Sequence, residues 1–353
     1  MKKVLLIFII LLLSSCSQSK QQEPQDKEED HPTSGRVTDV RLAERLQTPW
    51  SITKKGSKFY ISERNGTIAL VDIKSGKVKR EQVALNKPLH TEGEGGLLGL
   101  ELLSDTNVEA LAYHTYLENG EVLNRLVHLN KEQDQWSETA VLLEGIPGAG
   151  IHNGGRVKIG PDHMIYVTTG DAANPDLSQD RNSLAGKILR MELDGSVPED
   201  NPFADSPVYS YGHRNPQGLA WDDTGQLYAT EHGQSAHDEI NKIEPGKNYG
   251  WPVIQGDEKR DGMETPLYHT NGNTWAPSGT AFYNGSLYIS TLRGEAVRIF
   301  EIENKVADIF EQGTGRVRDV LIEKGTLYYI TNNTDGRGVP ASYDDQLIGI
   351  SLE

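Results

Sequence analysis

The chain has 353 residues, with 35 Lys or Arg against 51 Asp or Glu, so its formal net charge at pH 7 is −16. A surface this acidic repels nucleic acid and anionic lipid, so we expect neither to bind the protein directly. Any anionic ligand must therefore be held by a local cluster of Arg or Lys side chains.

The N-terminus has the order of a bacterial lipoprotein signal peptide. Two lysines precede an unbroken apolar run, Val4 to Leu13, and two serines lead from it to Cys16. The run is too short for a permanent membrane helix, which needs about 20 apolar residues. We therefore predict that residues 1–15 are a cleaved export signal and that Cys16 is lipidated. The lipid would anchor the protein to the outer face of the cell membrane, or to the periplasmic side if the host has an outer membrane.

Residues 17–35 contain no Leu, Ile, Val, Met, Phe, Tyr or Trp, so they cannot bury enough apolar surface to offset the entropy of ordering. Residues 16–35 are accordingly predicted to be the lipidated cysteine and a flexible linker. No second break in composition divides residues 36–353, which we expect to form one domain. Cys16 is the only cysteine, so no intrachain disulfide can form.

The domain contains a repeated pair of short alternating strands. In successive pairs, the leading strand begins at Lys58, Glu109, His163, Gly225, Gly285 and Gly325. The strand that follows it spans 67–72, 124–129, 187–193, 239–243, 296–300 and 346–350. Strand pairs that recur every 40 to 62 residues predict an all-β fold, a six-bladed β-propeller. The alternative, a β-sandwich, would show turn signals about every 8 to 12 residues without this pairwise grouping.

Between residues 150 and 252 the loops are rich in Gly, His, Asn, Asp and Arg. The motifs are Gly150-Ile-His-Asn-Gly-Gly-Arg156, Thr169-Gly-Asp171, Tyr211-Gly-His-Arg-Asn-Pro-Gln-Gly218, Glu231-His-Gly-Gln234 and Asn248-Tyr-Gly-Trp-Pro252. Together with Glu94-Gly-Gly-Leu-Leu-Gly99 and Gly315-Arg-Val-Arg-Asp319, they resemble the quinoprotein family of soluble glucose dehydrogenases and aldose sugar dehydrogenases, also called glucose/sorbosone dehydrogenases. The resemblance covers nearly the whole mature domain.

This resemblance implies a six-bladed propeller, which agrees with the count of repeats. It also implies that a hydride passes from the anomeric carbon of an aldose sugar to pyrroloquinoline quinone (PQQ), which yields a lactone, and that calcium is a second cofactor. The electrons would go on to an acceptor that the motifs do not specify. We expect the protein to be a monomer.

The motifs place the reacting groups on three segments. His152 occupies the family's base position, and an imidazole can accept the anomeric hydroxyl proton near neutral pH. Asp171 matches the carboxylate that hydrogen-bonds to this histidine and fixes its tautomer. Arg214, Asn215 and Gln217 match the polar residues that the family directs at the quinone, where a cation would stabilise the oxygen that gains charge.

Calcium in the family is held partly by two consecutive backbone carbonyl groups, which correspond here to Gly233 and Gln234. Backbone oxygens suit a hard cation but leave no side-chain signature. Relatives often carry Pro where this chain has Gln234, so the loop is expected to be less rigid. For the nearby Asp238 and Glu239 we favour a role in bracing the loop or starting the next strand over one as metal ligands.

The cofactor carries three carboxylates, which an acidic protein must meet with cations. Arg316 and Arg318 match the family's paired arginines, and alternation along an extended segment would put both on one face. Arg293 stands where relatives commonly have Lys. Glu94 stands where they often have Gln against the cofactor, and a carboxylate there would be unfavourable unless it is protonated or paired.

Two other functions fit the sequence less well. A calcium-dependent sugar lactonase on the same fold would use carboxylate and Asn side chains for the metal and would leave His152, Asp171 and the arginines without a purpose. A non-catalytic propeller that binds a cell-surface partner would tolerate loss of the His152 segment.

Overall fold

The computed structural model of the protein describes residues 39–103 and 108–352, all of which belong to one compact unit. The signal peptide, Cys16 and the linker lie outside the described residues, so these assignments stay predictions. Within the described ranges there are 24 β-strands, one short 3-10 helix (Pro175–Ser178), and no helix with the length and apolar character to cross a membrane.

The first nine strands include two antiparallel groups of four. The strands are β1 (Val40–Ala43), β2 (Pro49–Lys55), β3 (Lys58–Glu63), β4 (Thr67–Asp72), β5 (Val78–Ala84), β6 (Leu97–Leu102), β7 (Glu109–Glu118), β8 (Glu121–Glu132) and β9 (Gln135–Pro147). Strands β2 to β5 form one group and β6 to β9 the other. A parallel pairing of β5 with β9 joins them into an eight-stranded sheet.

Three four-stranded sheets follow in chain order. They are β10 (Val157–Ile159), β11 (Ile165–Thr169), β12 (Lys187–Met191) and β13 (Val208–Tyr211); β14 (Pro216–Trp221), β15 (Leu227–Glu231), β16 (Glu239–Ile243) and β17 (Tyr268–His269); and β18 (Pro277–Tyr283), β19 (Ser286–Thr291), β20 (Ala296–Glu301) and β21 (Val306–Gln312).

The last sheet contains both ends of the described chain. It consists of β22 (Val317–Glu323), β23 (Thr326–Thr331), β24 (Leu347–Ser351) and β1. Strand β1 runs antiparallel to β24, with Val40 opposite Gly349. This pairing ties the beginning of the domain to its end.

The strand pairs predicted from the repeats are confirmed. They are the two middle strands of each group, such as β3 with β4 and β15 with β16. The first strands of the groups do not share this pattern, and some carry Gly and polar residues, as in the Pro216-Gln-Gly start of β14. Several outer strands are short or highly charged, as in the Val-Lys-Arg-Glu-Gln sequence of β5.

The first strands of the groups contact one another: β2 lies against β6, β6 against β10, β14 against β18, β18 against β22, and β22 against β2. Sheets whose first strands gather side by side in this way have a propeller-like arrangement. The all-β prediction is therefore confirmed, and the loops before these first strands share one end of the domain.

Apolar side chains pack between neighbouring groups rather than in one central core. Leu98 of β6 and Tyr113 of β7, for example, cluster with Val157 of β10 and Val167 of β11, and all four are fully buried or nearly so. Burial of such a side chain contributes roughly 1.5 to 3 kcal/mol. These layers fix the groups against each other and so fix the loops that they carry.

Polar groups, in contrast, fill the space between the first strands. Arg156, just before β10, donates from Nη1 to Asp319 of β22 at 2.6 Å, and both side chains are 1% exposed. Asp319 also accepts the backbone N–H of Ile52 at 2.9 Å. A Cβ atom on Gly279 of β18 would lie 1.7 Å from Asp319 Oδ1, so only glycine fits there. This buried pair lies against two residues of the candidate site: the guanidinium carbon of Arg156 is 4.4 Å from the ring centre of Trp50, and Arg156 Nε donates to the carbonyl oxygen of Gln217 at 2.8 Å.

Candidate active site

His152 and Asp171 lie side by side in the candidate site. His152 is in the loop between β9 and β10, and Asp171 follows β11. The distance between His152 Nδ1 and Asp171 Oδ1 is 2.8 Å, and the carboxylate is 1% exposed. Its other oxygen accepts the indole N–H of Trp251 at 2.9 Å. Because Asp171 is held from two sides and engages Nδ1, it leaves His152 Nε2 as the nitrogen that can accept a proton.

The backbone of His152 is clamped as well. Its φ is 60°, a left-handed conformation that is costly for a residue with a side chain. Its N–H donates to Glu94 Oε2 at 3.0 Å, and its carbonyl oxygen accepts from the N–H of Ala172 at 3.2 Å. A Cβ atom on Gly170 would lie 2.0 Å from that carbonyl oxygen, which explains glycine before Asp171. These contacts hold the imidazole in one place.

Glu94 is an ionised, paired carboxylate. Its Oε1 accepts from Arg337 Nη1 at 2.8 Å, so the charge that would oppose an anionic cofactor is neutralised. Burial alone would raise its pKa, but the hydrogen bonds from the His152 N–H and from Arg337 lower the pKa to about 2. Of the two conditions set by the sequence, protonation or pairing, the structure shows pairing.

A cavity that is open to solvent lies beside these groups. Its floor is made by the first strands of several groups, with Trp50 from β2, Leu98 from β6, Gln217 from β14 and Arg318 from β22. Its wall is made by loop residues, which include Arg64, Glu94, Asn153, Gly154, His232, Asp335 and Arg337. The cavity therefore adjoins the segment that carries His152 and is rich in guanidinium groups.

Arg316 and Arg318 direct their side chains to the same place. Arg316 Nη2 donates to Asp335 Oδ2 at 2.7 Å, and Arg318 Nη2 lies 4.0 Å from the same oxygen. Arg318 also donates from Nη1 to Gln217 Oε1 at 3.0 Å. Burial lowers the pKa of Arg318 to about 9, which leaves it charged at neutral pH. Arg318 and Gln217 thus form a fixed pair on the cavity floor.

Arg214 and Asn215 bridge the cavity wall and Asp171. The guanidinium carbon of Arg214 lies 5.4 Å from the ring centre of Trp251, which is the residue that holds Asp171. Burial lowers the pKa of Arg214. Asn215 Oδ1 accepts the backbone N–H of Gly154 at 3.1 Å, so it braces the loop that carries His152.

His213, which the sequence left without a role, points into the protein. It is fully buried, with Nδ1 at 2.9 Å from Glu231 Oε2 and Nε2 at 2.8 Å from Ser210 Oγ. Its ring stacks on Tyr249 with centres 4.8 Å apart. His213 therefore supports the Arg214 segment from behind and does not face the cavity.

The predicted calcium loop lies next to the cavity. Gly233 lines a second, smaller space, and His232 lines both. Gln234 is exposed. Asp238 accepts the N–H groups of Gly233 and Ala276 at 2.9 and 2.8 Å, which confirms that it braces the loop. Within residues 39–103 and 108–352, no three or more His, Cys, Asp or Glu side chains are grouped so that they could hold a metal ion.

Arg293 does not join the other predicted site residues. Its side chain is exposed and lines neither cavity, while its backbone N–H donates to the carbonyl oxygen of Trp275 at 2.9 Å. A role in holding the cofactor stays a prediction for this residue.

The structure adds four residues to the site: Trp251, Asp335, Arg337 and His232. Trp251 belongs to a motif that was recognised, but its role depends on a contact with Asp171 across 80 positions of sequence. Asp335 and Arg337 lie in a polar, glycine-containing loop, a weak signal for function. His232 follows Glu231 in another recognised motif, and burial lowers its pKa to about 4.

Comparison with known proteins identifies the class. Residues 46–340 match the family described as glucose/sorbosone dehydrogenase. Quinoprotein glucose dehydrogenase B of Acinetobacter calcoaceticus is 33% identical over 251 residues, which cover 62% of this chain and 52% of that protein. Aldose sugar dehydrogenase YliI of Escherichia coli K12 is 28% identical over 342 residues, which cover 84% and 90% of the two chains.

A solved structure agrees with these matches. The PQQ-bound form of aldose sugar dehydrogenase from Streptomyces coelicolor has a TM-score of 0.82 and 37% sequence identity, and the alignment covers 90% of this chain and 99% of that one. Fold and matches together define an all-β, propeller-like protein of a class of sugar oxidoreductases. The chain belongs to the glucose/sorbosone dehydrogenase family, which confirms the resemblance seen in its motifs.

Proposed function

We propose that this protein oxidises aldose sugars at the anomeric carbon to lactones, with PQQ and calcium as cofactors, and that its six groups of four strands are the blades of a six-bladed propeller. The observation that carries the proposal is the His152–Asp171 pair, with Nδ1 and Oδ1 2.8 Å apart, beside a cavity that Arg318 enters from below. Membership of the family supports the reaction class.

The residues around the cavity fit an anionic cofactor. Buried hydrogen-bonding atoms without a protein partner include Arg214 Nε, Arg316 Nε and His232 Nε2. Buried polar atoms normally have a hydrogen-bond partner, so these unpaired atoms indicate that a polar ligand belongs beside them. Guanidinium groups suit carboxylates because their planar N–H groups can donate in pairs. Arg316, Arg318 and Gln217 would hold a carboxylated cofactor at the cavity floor.

In the proposed reaction, bound PQQ supplies the acceptor for the hydride that leaves the anomeric carbon of the sugar. His152 Nε2 takes the proton of the anomeric hydroxyl, so that the carbon–oxygen bond becomes the lactone carbonyl as the carbon–hydrogen bond breaks. Asp171 stabilises the resulting imidazolium, and Trp251 keeps Asp171 in place. Arg214 would offset negative charge that develops on the cofactor.

For calcium, we propose the carbonyl oxygens of Gly233 and Gln234 as protein ligands, because their loop adjoins the cavity through His232. Asp238 braces this loop by accepting the N–H of Gly233. Backbone oxygens are suitable ligands for a hard cation, and the cofactor would complete the coordination.

Cofactor binding should therefore depend on calcium. Purified protein spanning residues 36–353 is expected to bind PQQ with calcium present and to release it when a chelator is added. Isothermal calorimetry measures the affinity, and steady-state oxidation of a panel of aldoses with an artificial acceptor measures the activity. Equal PQQ affinity with and without chelator would contradict the calcium bridge. Lactone hydrolysis without PQQ would favour the lactonase instead.

We also propose that the mature protein is a lipoprotein, on the basis of the apolar run that leads to Cys16. The full chain should fractionate with membranes and need detergent for release, whereas Cys16→Ser should prevent lipidation. Membrane fractionation and mass spectrometry of the N-terminal peptide test this. Recovery of the wild-type protein wholly from the cytoplasm would overturn it.

A further inference from the structure

Glu94 and Arg337 are far apart in sequence and meet beside His152. Both carboxylate oxygens of Glu94 are engaged: Oε1 accepts from Arg337 at 2.8 Å, and Oε2 accepts the backbone N–H of His152 at 3.0 Å. Glu94 thus uses its side chain to hold the loop that carries the proposed base. A carboxylate occupied in this way is poorly suited to contact an anionic cofactor directly.

The backbone around Glu94 is fitted to the same loop. The N–H of Glu94 donates to the carbonyl oxygen of Gly150 at 2.8 Å. A Cβ atom on Gly93 would lie 2.0 Å from that oxygen, so the two segments approach as closely as glycine allows. Glu94 therefore contacts the loop through both its main chain and its side chain, on either side of Ile151.

The conformation of His152 explains why such a hold is needed. A residue with a side chain at a φ of 60° keeps that conformation only when its surroundings fix it. The N–H of Ala172 hydrogen-bonds to the carbonyl oxygen of His152, and Asp171 hydrogen-bonds to the His152 ring. Both of these contacts come from one segment, since Asp171 and Ala172 are adjacent. Glu94 fixes the third polar group of His152, its backbone N–H, and it does so from a different segment, the loop before β6.

Arg337 keeps Glu94 charged and oriented. It donates to the carboxylate from Nη1, and its side chain is 53% exposed. The same loop carries Asp335, which contacts Arg316. Asp335 therefore ties the loop of Arg337 to the cavity floor, and Arg337 itself points to Glu94 in the cavity wall.

From these contacts we propose that Glu94 and Arg337 are a positioning pair for His152: Glu94 fixes the His152 N–H, and Arg337 fixes Glu94. This inference deepens the proposed function and rests on it for the role of His152 as a base. It assigns Glu94 to the loop rather than to the cofactor, and it gives Arg337 a function that the sequence did not suggest.

The first test needs no cofactor. In the cofactor-free protein, hydrogen–deuterium exchange of the His152 amide is measured in the wild type, Glu94→Ala and Glu94→Gln. Loss of a hydrogen bond to a charged acceptor should speed exchange by about tenfold or more in Glu94→Ala. Glu94→Gln keeps an oxygen that can accept this N–H and should restore most of the protection. Unchanged exchange in Glu94→Ala would overturn the proposal.

The second test uses the protein loaded with PQQ and calcium. Glu94→Ala should lower kcat about 10- to 100-fold, because a small displacement of a reacting group has effects of this size. Glu94→Gln and Arg337→Ala should have smaller effects. The PQQ affinity of all three should stay within about threefold of wild type. Arg260→Ala, which removes an exposed arginine elsewhere, is the matched control and should change neither quantity.

The two tests distinguish failure of the Glu94–Arg337 positioning role from failure of the proposed enzymatic function. If Arg337→Ala weakens PQQ binding about tenfold or more at full kcat, Arg337 is a cofactor ligand and the positioning role is wrong. If the wild type oxidises no aldose with PQQ and calcium, the proposed function fails. The exchange result in the cofactor-free protein still supports or overturns the positioning pair in that case.

Discussion

In the protein loaded with PQQ and calcium, His152→Ala is expected to lower kcat by about 10² to 10⁴ while PQQ affinity stays nearly unchanged. The reason is that His152 contacts Asp171 at 2.8 Å and leaves Nε2 for the substrate proton, whereas the cofactor carboxylates would be held elsewhere, by Arg316 and Arg318. Steady-state oxidation of aldoses at saturating PQQ measures the first quantity, and calorimetry measures the second.

Two further variants make this result specific. Asp171→Asn should also lower kcat, because the amide can favour the wrong imidazole tautomer. His163→Ala removes an exposed histidine from the turn before β11 and should leave kcat at the wild-type level. Near-wild-type turnover in His152→Ala at saturating PQQ would rule out the proposed mechanism.

Arg318→Ala is expected to have the opposite pattern: PQQ binds more weakly, while the saturated enzyme keeps much of its rate. A hydrogen bond to a charged group is worth about 1.5 to 3 kcal/mol, so the affinity should fall roughly 10- to 100-fold. Arg318 is buried and paired with Gln217 at 3.0 Å, which makes it a fixed donor on the cavity floor. Titration with PQQ at constant calcium measures the change.

Arg293→Ala is the natural comparison for this prediction. Arg293 was also matched to the cofactor from the sequence, but its side chain is exposed and lines neither cavity. Its replacement should therefore weaken PQQ binding much less than Arg318→Ala. Thermal unfolding of both variants checks that they are folded. An equal loss of affinity in the two would show that the cavity floor is not the anchor for the cofactor.

Much of the fold could be predicted from the sequence because the middle strands carry a short, buried apolar segment that recurs along the chain. Strands β3, β11 and β23 share such a segment, with Phe-Tyr-Ile, Ile-Tyr-Val and Leu-Tyr-Tyr-Ile respectively. The first strands could not be predicted in the same way. Their residues line the polar space around Asp319, so β14 and β18 carry Gly, Gln and Ser in place of an apolar pattern.

In the candidate site too, some residues could be predicted from local motifs and others could not. His152 and Asp171 lie in motifs of distinctive composition, and their predicted contact is present in the structure at 2.8 Å. Glu94 and Arg337, in contrast, are 243 positions apart, in the loop between β5 and β6 and in the loop between β23 and β24, and they meet only in the folded domain. No local pattern encodes such a contact. The sequence could state only that Glu94 needed a partner, and the structure supplies it.

The most direct test of the whole account is the spectrum of PQQ bound to the calcium-loaded domain during a single addition of aldose, without any electron acceptor. We expect conversion to the reduced cofactor, with one lactone formed for each PQQ reduced, and no conversion in His152→Ala on the same time scale. A bound cofactor that stays oxidised with every aldose tried would contradict the proposed function.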